Sequence, residues 1–566
     1  MVGQTVVNAD HMTSICMDGR VRHRFFKFGL LTLPSLIVVV LNTIFGVLSP
    51  VTAFPQDEFV SLDLVWRFFQ GQRSGVDFYD PLGFGVFQLA AVMWPAVGVA
   101  ALRLAIGAYA LVIVLCANLV AARRDMTPPY WILFCSIVAF IASAPFVYGY
   151  VPGAIGSCAF YNRLSTGALA VLILQVFVEE KGRQARVPIA ELLCTSLLLE
   201  ILFLTKISAL FLGLGLIFIG VLAGRGAVRG RIIRVVAQLT LFGTLLALSL
   251  ILSGVRLQDL LRDYSLAALG RSEMEYAKGM PFDSNLILCS LLLFMLGASA
   301  SRPEKGSIPC GRAIVIAGGF YIFQLVLDLT NTQPPTTYLA PIAGIVLWYG
   351  VQSSVAMMPR LCGMPITAQD VIVAALAGLT LIPHAIALTV SGVLALGAPG
   401  GGGIGGQPSI IAGRNGVVIR MVSGMGSLGT WFPRFPDRLD GYGGDVQDGM
   451  RLLRSHDLAH LPVATLDFAN PFPVLLQSPS PRGVAAWWDF KFGRSLPLAT
   501  HFEWPTPLGD ACVVMEPLRP YIATSTAFLV KESGATLAKS FSLIADDGVW
   551  RMYLRQDTEC GGRTRQ

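Results

Sequence analysis

The chain has 566 residues, 54% of them hydrophobic and 14% charged, against about 25% charged in an ordinary soluble domain. With a mean hydropathy of +0.63, this charge deficit excludes a string of soluble domains. The net charge of +7 does not signal nucleic acid, because the basic residues stand in short clusters between apolar runs, as they do in cytoplasmic loops.

Arg20, Arg22, Arg24 and Lys27 precede the first long apolar run, roughly 28–49. Basic residues stay on the cytoplasmic side, so residues 1–27 are expected inside and the run is read as an uncleaved anchor. The first outer loop, 50–98, then lies outside. It carries FPQDEFVSLDLVWRFFQGQRSGVDFYDP (54–81), an unusual density of charge for so apolar a chain. Phe59, Leu62, Val65, Trp66 and Phe69 fall near one helical face, which predicts an amphipathic helix at membrane-interface depth. GFGVFQLAAVMWPAVG (83–98) is apolar but short and holds Pro95; it is read as a juxtamembrane or re-entrant helix rather than a span.

Further apolar runs follow near 99–121, 130–149, 164–178, 188–205, 207–224, 235–253, 284–300, 313–329, 337–357 and 370–397, for about eleven spans in all. The loops EEKGRQAR (179–186), GRGAVRGRIIR (224–234), SRPEKGSIPCGR (301–312) and MMPR (357–360) then all fall inside. The segment after 253 mixes Arg256, Arg262, Asp259 and Asp263, the pattern of a solvated amphipathic helix. The transmembrane domain is thus expected over 28–397, a mainly α polytopic helical bundle.

A Gly-rich stretch, 398–412, reads as a flexible linker, and composition changes beyond it. Residues 413–566 are expected to form a small extracytoplasmic α/β domain. DGMRLLRSHDLAHL (448–461) has helical spacing, PVATLDF (462–468) and ACVVMEP (511–517) read as buried strands, and DDGVWRMYLR (546–555) alternates like a strand. Cys512 and Cys560 both fall here, and their pairing is open. Trp487 and Trp488 read either as core or as platforms for a sugar ring. The six histidines do not cluster with acids at ligand spacing, so no metal site is read, and dependence on a divalent metal stays open.

Charge on the outer side points to chemistry. Asp57 and Glu58 stand where the first span surfaces. A carboxylate there can take the proton of a hydroxyl nucleophile, or it can simply favour a helix N-terminus. Lys206, in ILFLTKISALF, interrupts a long apolar stretch at the outer turn between two spans, and Arg163, in AFYNRLS, opens another. With Arg73 of the first loop they can hold a phosphate, or snorkel to lipid headgroups. A phosphate that leaves beside hydrocarbon belongs to a lipid. The expected reaction is sugar transfer from a polyprenyl-phosphate donor onto a hydroxyl. Asp77, Tyr79 and Asp80 are candidate acceptor-side or loop-forming residues.

QDE (56–58), the stretch DLVWRFFQGQRSGVDFYDPLGFGVFQL (63–89), ALRLAIGAYALVIVLCANLVAARR (101–124), YNR (161–163) and LTK (204–206) together resemble the C-type, multi-spanning glycosyltransferases. The bacterial branch near protein mannosyltransferases and aminoarabinose transferases is the most similar in style. The resemblance covers roughly 28–360. It implies that Asp57 occupies the catalytic acidic position, with Glu58 able to substitute or assist, and that the donor is a polyprenyl-phosphate sugar rather than a nucleotide sugar. It further implies a bacterial inner membrane, a glycan, lipid or protein acceptor, and membrane lipid as partner. The family often has His or Ser where Asp80 stands before Pro81. The rival readings are a transporter or flippase, a glycan polymerase or ligase, and a non-catalytic relative whose C-terminal domain binds glycan.

Overall fold

The computed structural model describes residues 19–80, 82–124, 126–146, 154–157, 159–177, 189–223, 228–269, 357–361, 364–367, 381–382, 385–395, 408–422, 439–488, 506–520, 523–556 and 560. The expected spans 284–300 and 313–329, nearly all of 337–357, and residues 1–18 lie outside them.

The apolar runs fold as helices. They are α1 (Gly19–Leu48), α2 (Pro55–Phe69), α3 (Gly85–Val97), α4 (Ala100–Arg123), α5 (Pro128–Ser143), α6 (Phe160–Phe177), α7 (Ile189–Thr205), α8 (Ile207–Ala223), α9 (Val228–Ser253) and α10 (Leu257–Leu269). A further helix, α11 (Ala385–Ala395), lies against α1, with Gly392 on Phe45 and Ser49 Oγ donating to Ser391 O. Phe26–Leu48, Ala100–Arg123 and Val228–Ser253 are long and apolar enough to cross a bilayer, which makes this an integral membrane protein. Only 6% of the apolar window of α9 is buried, so that helix turns its hydrophobic surface outward, as a lipid-facing span does. The 13 residues of α3 rise about 20 Å, short of the ~30 Å hydrocarbon core.

Helices α1, α4 and α5 pack together, α6 joins α4 and α5, and α7 packs on α6 and α9. Close approach is set by small residues: Gly107 of α4 sits on Thr43, and Gly167 of α6 on Ala142. Polar side chains tie the same helices. Asn42 Nδ2 donates to Ser143 Oγ at 2.9 Å, and Trp131 Nε1 to Asn118 Oδ1 at 2.7 Å. Helices α7 and α8 form a hairpin whose apex is Lys206, because Gly213 of α8 lies back against Leu202 and Leu199 of α7.

The C-terminal unit contains β4 (Pro408–Ala412) paired with β5 (Val418–Val422), so the last five residues of the expected linker are strand. Helices α12 (Leu439–Ser455), α13 (Phe472–Leu476) and α14 (Ala523–Ser540) accompany a four-stranded sheet. That sheet runs β6 (Val463–Thr465), β8 (Val513–Pro517), β10 (Trp550–Arg555), β9 (Phe541–Asp546). β6 and β8 pair in parallel; the other two pairs are antiparallel. A disulfide joins Cys512 to Cys560.

This unit is seated on the segment 50–98 that follows α1. β1 (Phe78–Tyr79) pairs in parallel with β7 (Val484–Ala485). The stretch 478–481, Ser-Pro-Ser-Pro, has few N–H groups of its own, and α2 and the turn after it supply donors to its carbonyls. Trp66 Nε1 and Gln70 Nε2 donate to Ser478 O at 2.9 and 2.8 Å, Gln72 Nε2 to Ser480 O at 2.6 Å, and Arg67 Nη1 to Pro481 O at 2.7 Å. The expected interfacial helix exists, but its Trp66 face is buried by protein.

Candidate active site

The N-terminus of α2 holds the acidic pair. Phe54 before it is in the left-handed region (φ 51°), a conformation that costs a non-glycine residue about 1–3 kcal/mol. Pro55 then starts the helix, and Asp57 and Glu58 occupy its first turn, where the helix dipole favours negative charge. The Asp57 and Glu58 N–H groups both donate back to Phe54 O.

The two acids diverge from there. Glu58 is buried, and its Oε2 accepts from Arg103 Nη2 at 2.8 Å, Ser157 N at 2.8 Å and Ser157 Oγ at 2.7 Å. This fastens the loop to α4 and to the segment that leads into α6. Asp57, its neighbour, is half-buried. Arg103 and Ser157 were not singled out from sequence. The available signal was Arg103 itself, a lone cation in the apolar run ALRLAIG.

Five residues beyond Ser157, α6 presents Tyr161, Asn162 and Arg163. Lys206 Nζ, at the α7–α8 apex, donates to Asn162 Oδ1 at 2.8 Å and stands 5.9 Å from the centre of the Tyr161 ring. The YNR and LTK motifs therefore meet. Arg163 is buried at 1% exposure. The first loop reaches the same apex: Gly83 packs on the Leu204 carbonyl so closely that a β-carbon would collide with it.

Arg73 is placed differently. It is largely exposed, and its backbone N–H takes Asp77 Oδ2 at 2.8 Å within the loop's own turn. Asp77 also faces Arg482 of the C-terminal unit at 3.6 Å, which makes it a bridge between loop and domain. Tyr79 is 3% exposed in a cluster with Leu266, Ala485 and Trp488, and Trp488 is core there; Trp487 is half-buried on the neighbouring cluster. A small polar gap lies beside them, lined by Arg67, Asp467, Asn470 and Trp488 among others.

Asp80 is fully buried against α10. Its Oδ1 accepts from Leu82 N at 2.9 Å, its N–H donates to Asp263 Oδ2 at 3.1 Å, and no group takes its Oδ2 among the described residues. Burial pushes the Asp80 carboxyl well above the usual carboxylate range, with the Asp263 charge adding to the effect. Burial likewise pushes Asp263 up to about 7, against the Asp80 N–H and Arg262. Asp263 does not face solvent, as the mixed charge of this segment led us to expect. Leu260, Asp263 and Tyr264 share the buried side of α10, and the i, i+3, i+4 spacing of that face was the signal. At Gly75 a positive φ (77°) and the contact with Asp259 both require glycine.

No group of three or more potential metal ligands occurs among the described residues.

Fold and site together define a polytopic membrane protein whose segment 50–98 is clamped between a helical bundle and an α/β unit. No family model matches the chain, and no curated protein matches it in sequence. Its fold is similar to the crystal structure of ArnT from Cupriavidus metallidurans in the apo state. Identity is 12% and the TM-score 0.44, over 92% of this chain and 96% of that one. For ArnT from the same organism bound to undecaprenyl phosphate the values are 12% and 0.43, over 94% and 98%.

Proposed function

We propose that the protein is a membrane glycosyltransferase that moves a sugar from a polyprenyl-phosphate donor to a hydroxyl acceptor at the extracytoplasmic face. The observation that carries this is the fixed placement of the acidic pair at the start of α2. Glu58 is bonded to Arg103 and Ser157, and Asp57, the adjacent residue, is half-buried on the same helical turn. A base needs that combination of fixed position and access.

Asp57 takes the acceptor hydroxyl proton as the oxygen bonds to the anomeric carbon. The bond from that carbon to the phosphate oxygen breaks, and polyprenyl phosphate leaves with the electron pair. A single displacement of this kind inverts the anomeric centre. Lys206 and Arg163 are assigned to the donor phosphate, where positive charge lowers the energy of the departing oxygen, and Arg73 to the loop's own turn with Asp77. Glu58 and Asn162 position Asp57 and Lys206 respectively. Asp77, Tyr79 and Asp80 shape the acceptor side by holding the loop between the bundle and the C-terminal unit.

The disulfide supports an extracytoplasmic C-terminal unit, since such bonds persist in oxidising compartments. The test is purified protein in liposomes with a panel of polyprenyl-phosphate sugars, followed by mass spectrometry of released polyprenyl phosphate. Release that Asp57→Asn abolishes is expected. Movement of the donor across the bilayer without cleavage would replace this reading with a flippase.

A further inference from the structure

The opposite end of the bundle carries a second concentration of charge. There α4 ends at Arg123, α6 at Phe177 and α8 at Ala223, while α7 begins at Ile189 and α9 at Val228. Arg124, 5% exposed, donates through Nη2 to Gln175 O at 2.7 Å and to Glu191 Oε1 at 2.8 Å. Arg234 of α9 reaches the same Glu191 oxygen at 3.7 Å. Arg231, one turn earlier, donates to Val221 O of α8. Arg124 and Arg234 therefore share one acid, Glu191.

Hydrogen-bond accounting shows what is missing. Arg123 Nη1, Arg124 Nε and Arg234 Nε are each buried and have no acceptor among the described residues. Buried guanidinium N–H groups without acceptors call for an anion with several oxygens. The start of α9 adds the positive end of its dipole. Beside the cluster, Ile232, Ile233, Val236 and Leu239 of α9 are exposed and apolar, a surface for acyl chains. Arg234, between Ile233 and Val236 on α9, is 41% exposed, so the cluster is reachable from outside the bundle.

We propose that this end, between the last turn of α4 and the first turns of α9, binds the phosphate of an anionic phospholipid headgroup. Its acyl chains run along the exposed face of α9. Basic pockets between spans on the cytoplasmic side recognise headgroups in this way. The site is independent of the sugar-transfer reading; it requires only that α4 and α9 span the membrane.

The test uses the full chain purified in neutral detergent, with native mass spectrometry of retained lipid and thermal midpoints after addition of phosphatidylglycerol, phosphatidylcholine or inorganic phosphate. Arg124→Gln strands Glu191 and risks misfolding, so the informative variant is Arg123→Gln with Arg234→Gln. Its midpoint in phosphatidylcholine reports folding separately. Phosphatidylglycerol should be retained and stabilising on the parent chain. The double variant should bind it about 25-fold more weakly, near fivefold per arginine. Equal retention by both chains, or phosphatidylcholine as effective as phosphatidylglycerol, would overturn the proposal. Stabilisation by inorganic phosphate equal to that by phosphatidylglycerol would also overturn it, in favour of a soluble anion.

Discussion

The two ends of α2 are both fixed by an arginine and a carboxylate, yet they leave different remainders. At the C-terminal end Asp63 and Arg67 are 0% and 1% exposed and bonded at 2.7 Å, and their remaining bonds go to Ser480, Gln72 and Pro481. Burial raises the Asp63 carboxyl while the Arg67 charge opposes it. At the N-terminal end Arg103 and Glu58 form the equivalent pair, but a second acid, Asp57, stands beside them with a less buried carboxyl. One end of the helix is a joint to the C-terminal unit; the other is a joint to the bundle with a second carboxylate, Asp57, on the same turn. A helix held at both ends presents that carboxylate at a fixed place, which chemistry needs and a flexible loop does not provide.

The strongest way to break this comparison is Arg67→Met. It leaves Asp63 buried without its partner and should destabilise the protein by about 3–5 kcal/mol, while Asp63→Leu with Arg67→Met should recover most of the loss. Thermal unfolding of the single and double variants measures this, and a single variant as stable as its parent would mean that the pair is not a joint. The same joint depends on an intact C-terminal unit. Its disulfide closes a sequence separation of 48, worth up to about 4 kcal/mol of unfolded-state entropy. Cys512→Ser with Cys560→Ser should therefore loosen β7 and the Ser478–Pro481 contact, seen as faster amide exchange at Ser480 and Ala486. Unchanged exchange there would separate the joint from the disulfide.

A smaller effect sharpens the comparison at β1. Asp263 has a folded value of about 7, above the ordinary 3.8, so between about pH 4 and 7 the folded state holds more protons than the unfolded one. The seam between the first loop and α10 should be tightest at low pH and weaken as pH rises to about 7. Asp80 acts in the same direction. Amide exchange across residues 74–80 should track this slope, and Asp263→Asn should flatten it; a slope that survives the substitution would belong to another group.

Much of this was legible in the sequence, for identifiable reasons. Apolar run length announced α1, α4 and α9, and period-2 and turn patterns announced β6, β8 and β10. The acidic pair and the two cationic motifs were visible as charges out of place among apolar residues. What could not be read was which surfaces meet. The stripe holding Trp66 looked like a face for lipid headgroups, because an aromatic stripe has the same pattern whether bilayer or protein covers it. The Ser478–Pro481 segment carried no sequence signal of its role, since the donors that fix it lie more than 400 residues away. Asp57 and Glu58 were equivalent by type and position. Ser157 and Arg103, brought in by tertiary packing, bond to Glu58 and are not visible in the sequence pattern.

That distinction is best tested by comparing Asp57→Asn with Glu58→Gln in one turnover assay, with thermal midpoints measured on the same preparations. Asp57→Asn should lose about 10²–10⁴-fold in transfer with its midpoint unchanged. Glu58→Gln should instead lower the midpoint and retain part of the turnover. An Asp57→Asn enzyme that works like its parent, or a Glu58→Gln enzyme that is inactive at full stability, would contradict the account.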